Sequence, residues 1–291
     1  MFQGSMVALV TPMHTDGSID FTALEQLVEF HVQAGTDAIV AVGTTGESAT
    51  LSQSEHCKVV QFVVDKANKR VPVIAGTGSN STTEAEELGL CALKAGADGC
   101  LVVTPYYNKP TQQGLYEHYK YLAENVALPM ILYNVPGRTA VDMLPETVHR
   151  LSKLPNIVGV KEATGSIDRL AELVNLCGPD FSVVSGDDDI ALASMAKGVK
   201  GVISVSANVA PALMHQAFSA ALAGNHQEAA EINKPLEDLH RDLFLEANPI
   251  PVKWALFEMG LIGEGIRLPL TVLSSEYHSA IRQALMPIKE K

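Results

Sequence analysis

Lys161 stands in "IVGVKEATG", residues 157–165, a run that is apolar except for Lys161, Glu162 and the closing turn residues. Burying an ammonium group is costly unless it is paired or gives up its proton. Extended alternation puts Ile157, Gly159, Lys161 and Ala163 on one face and Val158 and Val160 on the other. Glu162 then points away from Lys161 and is badly placed to pair with it. No Asp or Glu interrupts the other strand-like runs. An amine so placed is predicted to be neutral and nucleophilic, the chemistry that forms Schiff bases with carbonyls. The plainer alternative is a structural lysine in a buried ion pair.

Other polar residues stand where a strand would end. Tyr133, in "PMILYNVP", shares a face with Ile131 and Val135, and a phenol beside an amine can pass protons. Packing with a locally bonded hydroxyl is the competing role. Thr44 and Thr45 open "GTTGES", where successive backbone N–H groups suit a carboxylate; a plain tight turn reads the same way. Arg138, in "YNVPGRT", offers a planar fork for a second carboxylate, although loop arginines are ordinarily just solvated. Of nine histidines only His14 lies near a strand end, so a metal-dependent reaction is disfavoured and no metal site is expected.

The elements that must position these residues are legible. Eight Val/Ile-rich runs end in Thr, Ser, Gly, Pro, Asn or Asp: "SMVALVTP", "AIVAVGTTG", "VPVIAGTG", "GCLVVTP", "PMILYNVP", "IVGVKEATG", "FSVVSGDD" and "GVISVSAN". Each has the length of a strand buried on both faces. Helical patterns lie between them. Leu170, Leu173, Val174 and Cys177 form one stripe, capped by Ser166. "SQSE" and "STTE" each fit a capping box. Gly35, Gly96 and Gly198 each close a helix before a strand, at spacings near multiples of the roughly 30 residues of a βα step. The prediction is a (β/α)8 TIM barrel over residues 1–224, followed by a helical region at 225–291 packed on it. "HQEAAEINKPLEDLHRDLFL", "IPVKWALFEMG" and "PLTVLSSEYHSAIRQAL" are the expected appended helices. A dinucleotide-binding open sheet is disfavoured, because the first strand runs into "TPMHTDGS" without GxGxxG.

Composition narrows the partners. The 291 residues carry a formal charge of −12 and no dense basic block, so neither nucleic acid nor membrane is an expected partner. No apolar run is long enough to span a bilayer, and "MFQGSMVALVTP" reads as a first strand rather than a signal peptide. Cys57, Cys91, Cys100 and Cys177 form no CxxC pair and are expected as free buried thiols in a reducing, cytoplasmic compartment.

Taken together, "GTTGES" with "LSQSEH", then "YNVPGRT", then "GVKEATG" resemble the dihydrodipicolinate synthase family of pyruvate-dependent class I aldolases. The N-acetylneuraminate lyases are its relatives. The resemblance runs from residue 2 to the end. It implies that Lys161 forms the imine with pyruvate, with no other cofactor. Tyr133 relays protons in a triad with Thr44 and with Tyr107, which enters from a neighbouring subunit of a dimer or dimer of dimers. Thr45 and the Gly46 region hold the pyruvate carboxylate, near the Ile203 backbone, and Arg138 receives that of L-aspartate 4-semialdehyde. The implied product is 4-hydroxy-tetrahydrodipicolinate, on the route to diaminopimelate and lysine. The neuraminate lyases, or a keto-sugar-acid aldolase, are the nearest alternative, but those lyases lack the arginine in that loop. A non-catalytic sensor on an old barrel is the other. In regulated members of the family L-lysine binds at positions matching Ser48, Ala49, His56, Asn80, Glu84 and Tyr106. Gln53 departs from the histidine common there, which predicts weak or absent feedback inhibition.

Overall fold

The structure is a computed structural model and describes residues 2–289. Eight strands form a closed, all-parallel barrel in sequence order: β1 (Gly4–Ala8), β2 (Ala38–Ala41), β3 (Val73–Gly76), β4 (Gly99–Val103), β5 (Met130–Asn134), β6 (Ile157–Glu162), β7 (Ser182–Ser185) and β8 (Gly201–Ser204). β8 returns to pair with β1 and closes the ring. Each expected strand is present. The helices between strands lie outside, which is how parallel strands bury both faces.

Two apolar layers hold this arrangement. The lumen is filled by Met6, Val40, Ile74, Leu101, Ile131, Val184 and their neighbours. A larger shell joins the outer strand faces to the helices. Gly35, Gly96 and Gly198 end their helices at φ of 80°, 81° and 92°, a left-handed backbone that glycine adopts without strain. Ser166 caps its helix by accepting the Arg169 N–H.

Four details depart from the sequence reading. In β6 the alternation breaks once. Met130 pairs with Ile157 and Ile131 with Gly159, so Val158 is an extra residue, a β-bulge. Ile157 therefore joins the outer shell and Val158 packs on the lumen. From Gly159 onward the expected alternation holds, and Lys161 points inward. Second, Ser52 and Glu55 form a complete capping box, whereas Ser81 and Glu84 form half of one. The Glu84 carboxylate accepts from Ser79 Oγ at 2.6 Å instead.

Third, the region beyond the barrel is less helical than its pattern suggests. Helices span His226–Asn233, Glu237–Asp242, Ile250–Glu258 and His278–Lys289. The first stretch is interrupted by a 3₁₀ turn at Lys234–Leu236, where Pro235 lacks an N–H. "PLTVLS" is not helical, and Ser275 opens a 3₁₀ turn. Fourth, Cys57 and Cys91 are joined as a disulfide rather than free, their Cα atoms 6.1 Å apart on neighbouring helices. Facing positions on adjacent helices bring them together, which sequence spacing does not reveal. Cys100 and Cys177 are free.

The appended region is tied to the "GTTGES" loop by charge. Lys253 and Glu47, both buried, form an ion pair. The Arg267 backbone N–H also donates to Glu47, and its guanidinium binds Glu55, Thr50 O and Gly17 O. Among the described residues no helix is long and apolar enough to cross a membrane.

Candidate active site

The site forms at the C-terminal ends of the strands, where the loops of such a barrel gather. Lys161 and Tyr133 are direct register partners on β6 and β5. Both are buried, at 5% and 6% exposure, and Lys161 Nζ lies 4.5 Å from the Tyr133 ring centroid. Glu162 points outward, as alternation requires. It accepts from Asn134 Nδ2 at 3.1 Å, and burial pushes its carboxyl up to about 7. It is therefore part of the wall behind the site and not a counter-ion for Lys161.

Lys161, Tyr133, Thr44, Thr45 and Arg138 line one small cavity of about 70 Å³. Gly186 is its close floor: a Cβ there would stand 2.8 Å from Lys161 Cε and 2.6 Å from Ala163 Cβ. Asp187 lines the same cavity. Its carboxylate accepts the Gly165 N–H at 2.9 Å. Burial holds its pKa above the usual carboxylate value, with the Gly165 N–H and the Lys161 charge pulling the other way.

The loop carrying Thr44 and Thr45 is shaped by an unusual backbone. Val42, a β-branched residue, has φ of 55°, a genuine outlier. Gly76 makes room for it, since a Cβ on Gly76 would lie 2.4 Å from Val42 O. The Gly46 N–H closes the turn onto Gly43 O, and the Glu47 N–H onto Thr44 O. Among the described residues the Thr44 and Thr45 N–H groups have no acceptor. Gly46 therefore shapes the turn, and its own N–H is already spent. The Ile203 side chain is wholly buried in the lumen, and Val205, two residues on, borders the cavity.

Arg138 follows Pro136 in a single helical turn, Pro136–Thr139. Its Nη2 donates to Asn248 O at 3.2 Å. Tyr107 is not gathered in. It is 89% exposed, with φ of 74°, and lines neither this cavity nor the larger one beside it. That larger cavity, about 360 Å³, shares Thr44, Val135, Arg138 and Asn248 with the first. Ser48, Ala49, His56, Glu84 and Tyr106 line it, and so does Gln53. Asn80 does not; its carbonyl accepts from Asn108. Gln53 donates to Glu87 at 3.0 Å. His56 bonds Gly76 O at 2.8 Å, and burial holds its imidazole below the usual value.

The sequence reading missed Gly186, Asp187 and Asn248. The first two follow the seventh strand in "SGDD", so their position was a usable signal. Asn248 lies in the appended region and carried none. No group of three or more His, Cys, Asp or Glu among the described residues is arranged to hold a metal ion.

Comparison with known proteins places this geometry. The profile of the dihydrodipicolinate synthetase family matches residues 1–288. The chain belongs to that family. A 4-hydroxy-tetrahydrodipicolinate synthase of Thioalkalivibrio sulfidiphilus is 63% identical over 285 residues, covering 98% of this chain and 97% of that one. A dihydrodipicolinate synthase of Acinetobacter baumannii, described as chloride inhibited and solved with pyruvate, superposes with a TM-score of 0.98. It is 54% identical, over 99% of each chain. The enzyme of Cyanidioschyzon merolae, solved with lysine bound, gives a TM-score of 0.95 at 40% identity, over 99% of this chain and 98% of that one. Within the family, the barrel and its C-terminal helices are thus the common frame.

Proposed function

We propose that the protein is a 4-hydroxy-tetrahydrodipicolinate synthase, a lyase-class enzyme that condenses pyruvate with L-aspartate 4-semialdehyde. The observation that carries this reading is the inward pair of Lys161 and Tyr133 in one cavity with Arg138. Relatives at 60–63% identity bear the same activity name.

In this mechanism Lys161 Nζ attacks the pyruvate ketone, and water leaves to give the imine. The Tyr133 phenol passes protons during addition and dehydration, with Thr44 beside it. The unpaired N–H groups of Thr44 and Thr45 and the Thr45 hydroxyl hold the pyruvate carboxylate. Loss of a methyl proton gives the enamine, whose carbon attacks the aldehyde of the second substrate. Arg138 binds that substrate's carboxylate. Its amino group then attacks the imine carbon, closing the ring and freeing Lys161. No cofactor beyond the covalent imine takes part in this scheme.

The exposed Tyr107 supports an active homo-oligomer, a dimer or dimer of dimers, in which it reaches the neighbouring site. The larger cavity is the proposed L-lysine cleft, with weak or absent inhibition because Gln53 supplies no imidazole. The proposed setting is the cytoplasm. Turnover of pyruvate with L-aspartate 4-semialdehyde, run beside cleavage of N-acetylneuraminate, tests the reading. Activity only in the second assay would replace it with a neuraminate lyase.

A further inference from the structure

Asn248 lies in the segment beyond the barrel, yet its side chain sits within the site. Its Nδ2 donates to Thr45 Oγ1 at 3.0 Å across 203 residues of sequence. Its backbone carbonyl accepts Arg138 Nη2 at 3.2 Å. The residue is 6% exposed, and its Oδ1 is buried without a partner. A buried acceptor left unpaired is unfavourable and calls for a reason.

The reason lies in the direction of one proton. A hydroxyl has one proton to give and two lone pairs to fill. Asn248 Nδ2 fills one lone pair of Thr45 Oγ1, and among the described residues that oxygen has no other partner. Its proton is therefore free for a ligand. Turning the amide over would satisfy Oδ1, but only by drawing the threonine proton toward Asn248 and away from the cavity. The observed orientation leaves the Thr45 proton available to a bound anion, and a hydroxyl donating to a carboxylate is a charge-assisted bond.

We propose that Asn248 is a positioning residue for the keto-acid carboxylate. Its side chain orients the Thr45 hydroxyl toward that carboxylate, while its main-chain carbonyl steadies Arg138 for the second one. The inference rests on reading the site as the place where pyruvate meets an amino-acid semialdehyde. The two arms separate cleanly, because a side-chain substitution removes only the first.

The test is steady-state kinetics on Asn248→Ala and on Asn248→Leu, which keeps the branched shape, with thermal melting of each. The KM for pyruvate rises roughly tenfold, about 1.4 kcal/mol. The KM for L-aspartate 4-semialdehyde stays within about twofold. Thr45→Val produces a similar rise, and adding Asn248→Leu to Thr45→Val produces no further one, since both remove the same bond. Asn248→Leu fills the site with a side chain of the same branching and removes the orphaned oxygen, so it carries the test if the alanine variant does not fold. An unchanged pyruvate KM in the leucine variant overturns the proposal. So do equal rises in both KM values with effects that add to those of Thr45→Val. Absence of turnover by the unsubstituted enzyme would instead defeat the reading of the site itself.

Discussion

Lys161 Nζ stands 4.5 Å from the centre of the Tyr133 ring, on neighbouring strands in direct register. Strand pairing fixes this contact, so it does not depend on a mobile loop. Rigid placement of the amine beside the phenol is what imine chemistry requires. Borohydride reduction with pyruvate is expected to add a reduced adduct to the peptide containing Lys161, and Lys161→Ala abolishes it. Tyr133→Phe keeps the ring and its packing but loses the proton carrier, lowering kcat by about 10²–10⁴-fold. Adduct formation on a different lysine would remove the mechanism.

Gly186 sets how tightly that amine is held. An added Cβ would meet Lys161 Cε at 2.8 Å and Ala163 Cβ at 2.6 Å. Gly186→Ala should cost about 1–3 kcal/mol of stability through overpacking. Displacing the amine by about 1 Å should slow catalysis on the order of 10²-fold. Paired urea titrations and single-turnover trapping measure the two losses. Activity retained at wild-type rate would mean that the lysine stem bends away freely.

Glu162 gives the folded state a pH dependence of definite sign. Burial raises its pKa from 4.5 to about 7, with the Asn134 amide pulling it back. The folded protein thus holds this proton more tightly than the unfolded chain. Its contribution is full below pH 4.5 and is lost as pH rises through about 7. The loss amounts to about 3 kcal/mol. Glu162→Gln, neutral throughout, should gain on the parent as pH rises from ~5 to ~8 in denaturant titrations. Parallel stability curves for the two proteins would show that Glu162 titrates alike in the folded and unfolded chain.

The buried Lys253–Glu47 pair joins the appended helices to the loop bearing Thr44 and Thr45. Lys253→Met leaves the Glu47 charge buried with only the Arg267 backbone N–H to bind it, at a cost of about 3–5 kcal/mol. Replacing both, with Glu47→Leu, should recover most of that stability, because well-packed apolar groups often equal a buried ion pair. Activity should stay low in the double variant, since the loop has lost its tether. Chemical denaturation and kcat/KM separate the two effects. Recovery of both would make the pair purely structural.

The barrel, the inward lysine and the strand-end residues Tyr133, Thr44, Thr45 and Arg138 were all legible along the chain. Those features are local: hydrophobic period, helix-closing glycines and polar residues at strand ends all act within one βα unit. The β6 bulge at Val158 was not legible, because only pairing with β5 exposes an extra residue. The Cys57–Cys91 bridge, the split between a complete and a half capping box, and the spent Gly46 N–H likewise depend on which groups meet in space. Asn248 is the clearest case. It reaches Thr45 across 203 residues and Arg138 across 110. A hydrogen bond between distant segments is specified by the packing of whole layers, which leaves no periodic mark along the chain.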